Sequence, residues 1–168
     1  MPVTDITKDV ESRTLTITAE FAAPVERVWE LYADPRQLEQ VWGPPEYPAT
    51  FVAHDLRPGG RMTYYMTSPE GERFAGYWEV DEVDEPRRLA FRDGFADAHL
   101  EPDPQLPVSR NEYRFEETET EGRTRAVFTS TFDSVADLQK VLAMGMEEGA
   151  TSALNQVDGF LARQAQLR

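Results

Sequence analysis

Residues 133–168 are the segment that most restricts how this chain can fold. Asp133 and Ser134 are favourable helix N-caps, and no proline follows them. Apolar or small side chains then recur at helical spacing, at Val135, Leu138, Leu142, Gly145, Gly149, Ala153, Val157, Phe160 and Leu161. This spacing predicts one long amphipathic C-terminal helix, which must bury its apolar side against another element.

Two glycines lie four residues apart on the apolar side of this predicted helix, at Gly145 and Gly149. A glycine inside a helix costs about 1 kcal/mol relative to alanine. The two glycines either let the helix backbone approach a sheet closely or leave space beside the helix for another molecule. The sequence leaves both interpretations open.

The rest of the chain reads as strands and two short helices. Residues 13–21 alternate between apolar and polar side chains, which predicts a half-buried strand. Pro24 and the pair Asp34–Pro35 are typical helix starts, and two prolines after Trp42 end the second helix. Six more strands are predicted between turn residues, at 49–56, 61–67, 73–84, 89–92, 110–116 and 125–132.

This element order predicts an α+β fold: a seven-stranded antiparallel sheet wrapped around the long C-terminal helix, with two short helices after the first strand. Residues 1–12 are polar and are predicted to be a flexible segment, and residues 13–165 form a single domain. Residues 93–109 contain three prolines and no periodicity. They are either a solvated loop or a lid over an opening.

Charge and composition exclude several classes of function. The chain of 168 residues has a net charge of -14, which disfavours nucleic acid and anionic membrane surfaces as partners. It has no cysteine, which rules out disulfides and thiolate metal sites. No signal peptide and no membrane-spanning apolar stretch is visible, so we expect a soluble cytoplasmic protein. It is expected to be a monomer or, because a sheet has edges that can pair, a homodimer.

The sequence contains no recognisable catalytic or cofactor-binding pattern. His54 and His99 are the two imidazoles, and neither has the orienting partners that an acid–base site needs. No metalloprotease, nucleophile-elbow, phosphate-loop or dinucleotide motif occurs. We therefore expect no metal, no cofactor and no catalytic residues of these known types.

Six short stretches of the chain form a set that is more specific than any one of them. They are APVERVW at 23–29, WGPP at 42–45, DLRPGGR at 55–61, GYWEV at 76–80, EPRRLAF at 85–91 and GMEEG at 145–149. In this order and spacing, residues 14–162 resemble the AHSA1-like (activator of Hsp90 ATPase homologue 1-like) family. The resemblance implies the helix-grip fold of the START and Bet v 1 superfamily (SRPBCC), whose members include carriers of hydrophobic ligands, polyketide aromatases and cyclases, and a domain of an Hsp90 co-chaperone.

Strand alternation brings apolar and a few polar side chains to one face of the predicted sheet, opposite the C-terminal helix. The predicted lining of a cavity between them comprises Tyr64, Met66, Trp78, Phe91, Asp93, Asn111, Tyr113, Phe128, Ser130, Met146, Ala150 and Leu154. Tyr64, Asp93, Asn111 and Ser130 would orient a ligand. The alternative is that the aromatic side chains simply fill a core.

Three functional hypotheses follow from this sequence. The first is a non-enzymatic protein that binds a small hydrophobic molecule, such as a lipid or a polyketide. The second is an aromatase- or cyclase-type enzyme, which needs an inward pair of titratable or hydroxyl groups within hydrogen-bonding distance. The third is a stress-response protein that binds a chaperone of the Hsp90 type through its acidic surface.

Overall fold

An antiparallel sheet of eight strands carries the fold of residues 2–167, the part of the chain that the computed structural model describes. The strands are β1 (Val3–Asp9), β2 (Thr14–Phe21), β3 (Ala49–His54), β4 (Arg61–Thr67), β5 (Arg73–Asp84), β6 (Arg88–Ala96), β7 (Ser109–Glu117) and β8 (Thr124–Phe132). Their order across the sheet is β1-β2-β8-β7-β6-β5-β4-β3. Strands β3 to β8 therefore form a continuous meander, and β2 joins it beside β8.

The sheet has one strand more than the seven that the sequence predicts, and the additional strand is β1. Val3–Asp9 pairs with β2, from Val3 opposite Ala19 to Asp9 opposite Thr14, where a flexible segment was predicted. Most side chains of this edge strand are exposed, so backbone hydrogen bonds hold it rather than an apolar face. A polar strand of this kind gives no alternating pattern in the sequence. Met1 lies outside the described residues.

Helices α1 (Val25–Ala33) and α2 (Pro35–Val41) follow β2 as predicted. The side chain of Asp34 caps α2 by accepting a hydrogen bond from the backbone N–H of Arg36 at 2.9 Å. The predicted N-cap and proline start of this helix therefore agree with the structure.

The C-terminal helical region is divided into α3 (Val135–Ala143), α4 (Met146–Leu154) and α5 (Val157–Leu167), so the prediction of one unbroken helix is wrong. Ser134 caps α3, and its hydroxyl accepts from the N–H of Asp137 at 3.0 Å. Gly145 has φ of +88°, a left-handed conformation that ends α3 and redirects the chain into α4. Arg168 lies outside the described residues.

The core lies between one face of the sheet and the helices. Five residues of α1 are buried, and α5 buries Val157, Phe160 and Leu161. In the described part of α4 the one buried side chain is that of Ala153. Its other apolar side chains, Met146, Ala150 and Leu154, remain partly accessible because the space beneath them is not filled.

Strand β6 extends further than the sequence predicts. Asp93 and the three residues that follow it continue the pairing with β5, from Trp78 opposite Asp93 to Ala75 opposite Ala96. The irregular segment is therefore 97–108 rather than 93–109. Asp93 thus lies within a strand in the middle of the sheet and not at the start of a loop.

Candidate cavity between the sheet and the C-terminal helices

A cavity of about 560 Å³ lies between the sheet and α4, with α1 and α2 at its sides. This volume falls within the range of small-molecule sites. Ten of the twelve residues predicted from the sequence line it, namely Tyr64, Met66, Asp93, Asn111, Tyr113, Phe128, Ser130, Met146, Ala150 and Leu154. Their part in binding stays a prediction.

Trp78 and Phe91, the other two predicted residues, do not line the cavity. Both are buried, and their rings stack with centroids 3.8 Å apart. The ring of Trp42, which does line the cavity, crosses Trp78 edge-on with a centroid distance of 5.0 Å. Trp78 and Phe91 face inward as the strand alternation predicts, but Trp42 covers Trp78, and both side chains belong to the core.

Aromatic side chains form a rigid wall of the cavity. Tyr113 and Phe128 meet edge to face with ring centroids 4.6 Å apart, and Tyr32 of α1 contacts Tyr113 at 5.8 Å. Edge-to-face contacts at these distances are favourable beyond the area that they bury. The wall therefore has a defined shape, whereas Met66 and Met146 offer flexible surfaces nearby.

A tyrosine–aspartate pair lies at the polar part of the cavity. The hydroxyl of Tyr64 on β4 donates to Oδ1 of Asp93 on β6 at 3.2 Å. The two residues are separated by β5, so the tyrosine ring must cross a whole strand to reach the carboxyl group.

Gly76 of β5 makes this crossing feasible. It pairs with Tyr64, and a Cβ atom at position 76 would lie 2.4 Å from the tyrosine hydroxyl. Any side chain there would displace the ring, because real Cβ atoms do not approach other heavy atoms so closely. Glycine inside a strand often marks such a close approach, and this is the signal in the sequence that could have identified Gly76 as part of the site.

Burial changes the acid–base properties of this pair. Loss of solvent raises the pKa of Asp93 to about 7, and the hydrogen bond from Tyr64 opposes part of this shift. The accessible surface of Asp93 faces the largely apolar cavity, which hydrates a carboxylate poorly. Burial, with the nearby charge of Asp93, also raises the pKa of Tyr64 well above its usual value.

Three neutral polar side chains extend from Asp93 across β7 and β8. Ser130 donates from its hydroxyl to Oδ1 of Asn111 at 2.7 Å. The side-chain amide of Asn111 donates to the hydroxyl of Ser109 at 3.0 Å. Ser109 is opposite Asp93 in the sheet, and Asn111 is opposite Ser130. The register thus brings together Asp93, Asn111 and Ser130, as the strand alternation predicted, and adds Ser109.

The mouth of the cavity carries exposed apolar side chains. Tyr47 and Phe74 contact each other with ring centroids 6.1 Å apart, and Met144 at the end of α3 is 53% exposed. All three residues border the cavity.

Most wall residues that the sequence did not predict lie outside the strands, for example Tyr32, Trp42 and Tyr47. Their positions in helices and loops suggested that they belong to the core or to the surface, so no pattern in the sequence assigned them to a cavity.

The two histidines lie away from this cavity. The ring Nε2 of His54 donates to the backbone carbonyl of Tyr32 at 3.0 Å, and His99 is exposed in the segment 97–108. Among residues 2–167, no group of three or more histidine, cysteine or acidic side chains has a geometry suited to a metal ion. No helix within the same residues is long and apolar enough to cross a membrane.

Comparison with protein families gives one match over most of the chain. The model of the family described as "Activator of Hsp90 ATPase homolog 1-like protein" matches residues 22–162. No protein with a curated function matches the sequence significantly.

Several solved structures are similar to the whole chain. A crystal structure of a protein from Mycobacterium smegmatis is 61% identical, with a TM-score of 0.87, and the match covers 95% of this chain and 97% of that one. A solution structure of a protein from Arthrobacter aurescens is 45% identical, with a TM-score of 0.90 and coverage of 96% and 92%. The AHSA1 protein from Silicibacter pomeroyi, at 24% identity and a TM-score of 0.71 over 90% and 99% of the chains, shares the fold.

Proposed function

The chain belongs to the activator of Hsp90 ATPase homologue 1-like family, as the sequence motifs predicted, and we propose that it binds a small, largely apolar molecule in the cavity beneath α4. The observation that carries the proposal is the unfilled space itself. A chain that needed only a stable core would fill about 560 Å³ with side chains, because empty volume forfeits packing energy.

The lining of the cavity supports the same function. Apolar side chains, many of them aromatic or methionine, form most of its surface, while Asp93, Asn111 and Ser130 supply a few polar groups on one side. This combination is typical of sites that hold an apolar body and orient it by hydrogen bonds. The exposed apolar side chains at the mouth offer a path by which an apolar molecule can enter.

Thermal unfolding with a panel of sterols, fatty acids, flavonoids, aromatic amines and aromatic polyketides tests the proposal. A ligand at 100 times its Kd adds about 2.7 kcal/mol to the free energy of unfolding. For a domain of this size, that corresponds to a rise in Tm of roughly 5 to 10 °C. A shift confined to one chemical class is the expected result.

A variant that fills the cavity shows whether a ligand-induced rise in Tm comes from binding at this site. Ala150→Phe places a large side chain into the space beneath α4, and it should abolish the ligand-induced shift. Ala143→Phe makes the same change at an exposed position of α3 and should leave the shift intact. Equal ligand shifts in both variants would place binding elsewhere, and no shift with any ligand would refute the proposal.

A second candidate function is acid–base catalysis of the aromatase or cyclase type. The observation that favours it is the Tyr64–Asp93 hydrogen bond of 3.2 Å, because such an enzyme needs an inward pair of this kind. A carboxyl group with a pKa of about 7 can both accept and donate a proton near neutral pH. Once a ligand class is known, unchanged turnover by Asp93→Ala and Tyr64→Phe would exclude both residues from a mechanism.

A further inference from the structure

We infer that the ligand of this cavity is an apolar molecule bearing a protonated amine, and that the carboxylate of Asp93 binds the ammonium group. The inference rests on the proposed binding function and specifies its ligand class. It follows from which charged groups line the cavity, from the free oxygen of Asp93 and from the aromatic rings near it.

The charges of the lining are unbalanced. Among the described residues that line the cavity, Asp93 is the one acidic residue, and none is lysine, arginine or histidine. An anionic ligand would therefore meet a carboxylate with no opposing positive charge. A cationic ligand would supply the missing counter-charge, and the net charge of -14 favours its approach.

One oxygen of Asp93 is available to a ligand. Oδ1 accepts the hydrogen bond from Tyr64, whereas Oδ2 has no hydrogen-bond donor among residues 2–167. Two neighbouring donors are used within the protein, because Ser130 donates to Asn111 and the amide of Asn111 donates to Ser109. The carboxylate therefore has an unused acceptor that an ammonium N–H can occupy.

Two aromatic side chains lie near Asp93, namely Tyr64, which is hydrogen-bonded to it, and Tyr113. Tyr113 lies close enough for the charge of Asp93 to contribute to its raised pKa, and its ring contacts Phe128. Tyr64 contacts Trp42, with ring centroids 5.6 Å apart. Electron-rich ring faces attract cations and repel anions, so they act with the carboxylate in selecting an ammonium group.

The titration of Asp93 gives this inference a readout. The titratable groups that interact with Asp93 are Tyr64 of β4, Tyr77 of β5 and Tyr113 of β7, and burial raises the pKa of each tyrosine. The residues of α4 that line the cavity are all uncharged: Met146, Gly149, Ala150, Ala153 and Leu154. Asp93 is therefore the lining group that titrates between pH 6 and pH 8, where its charged form becomes dominant.

Three probes that share one apolar body test the inference: 9-aminomethylanthracene, 9-anthracenemethanol and 9-anthracenecarboxylate. Their Kd values are measured by fluorescence titration of the full chain from pH 6 to pH 8.5. At pH 8 the amine should bind about 10- to 100-fold more tightly than the alcohol, since a hydrogen bond to a charged partner adds about 1.5–3 kcal/mol. The carboxylate should bind most weakly, and the affinity for the amine should rise between pH 6 and pH 8.

Asp93→Asn is the matching variant. It should remove the preference for the amine and its pH dependence while changing the affinity for the alcohol little, and circular dichroism verifies that it folds. Ala150→Phe should block every probe, which establishes that binding occurs in the cavity.

Two results would overturn the inference and leave the proposed function standing: tighter binding of the alcohol or the carboxylate at pH 8, or an amine preference that survives in Asp93→Asn. An affinity for the amine that falls from pH 6 to pH 8 would also refute it, because the protonated carboxyl would then be the binding form. If none of the three probes binds, the inference fails. The proposed function fails only if the wider ligand panel also gives no thermal shift.

Discussion

Replacing Asp93 by asparagine should make this protein more stable, and the gain should grow as the pH rises. Asparagine has nearly the same shape, and its Oδ1 can still accept the hydrogen bond from Tyr64. The substitution removes a carboxylate that is otherwise ionised in a poorly hydrated cavity. A site kept for binding rather than for stability should show this behaviour.

The size of the effect follows from the two pKa values of Asp93. Its pKa is about 7 in the folded protein, against an ordinary value of 3.8. The folded state therefore holds more protons than the unfolded state between these values, and the free energy of unfolding falls as the pH rises through this window. The difference of about 3 units corresponds to about 4 kcal/mol, which is lost in full above pH 7.

Asp93→Asn does not suffer this loss. Its advantage over the natural protein should be about 2 kcal/mol at pH 5.5 and about 4 kcal/mol at pH 8, at about 1.4 kcal/mol per pH unit. In thermal unfolding at pH 8, this corresponds to a rise in Tm of about 8 to 16 °C.

Urea unfolding followed by circular dichroism at pH 5.5, 7 and 8 measures these differences. Asp84→Asn removes a negative charge at an exposed position of β5 and controls for the change in net charge. If Asp93→Asn gained no stability at pH 8, or gained equally at all three pH values, the buried-carboxylate account of this site would be refuted.

Further substitutions probe the pair and the helix break. Tyr64→Phe should raise the pKa of Asp93 further, because the lost hydrogen bond lowers it; a carboxyl ¹³C NMR titration with an unchanged midpoint would contradict this. Gly76→Ala should displace the Tyr64 ring and cost about 1–3 kcal/mol in urea unfolding, whereas an unaffected protein would show that the ring moves freely. Gly145→Ala should destabilise the protein by about 1–2 kcal/mol because φ is +88°. Gly149→Ala should stabilise it by up to about 1 kcal/mol, since its Cβ would meet only Pro44 at 3.8 Å; equal effects of the two glycine substitutions would refute the assigned break.

Local sequence patterns predicted much of this fold because the relevant interactions are short in range. The alternation in β2 predicted its buried face, and Leu15, Ile17 and Phe21 are all almost completely buried. The proline and the cap of α2 predicted its start. The set of family motifs predicted the family, which the match over residues 22–162 confirms.

The candidate site was predictable only in outline. Strand alternation selected seven of the residues that line the cavity and helical spacing three more, but neither pattern can tell which inward side chains border a space and which are covered. Trp78 was misassigned because its cover, Trp42, lies 36 residues away in the sequence. The edge strand β1 gave no pattern, since its pairing depends on backbone groups that every sequence has.

The sequence by itself determined most of the helical and strand segments, with the exception of β1 and the breaks between α3, α4 and α5, and it also determined which strand faces are apolar and that the chain carries excess negative charge. These properties depend on neighbouring residues, whose spacing can be read directly. Only the tertiary structure decided that Tyr64 crosses β5 above Gly76 to reach Asp93, and that α4 leaves a cavity beneath it. The crossing depends on strand register, which brings together residues that are far apart along the chain. The position of α4 depends on the left-handed turn at Gly145 that redirects the chain after α3.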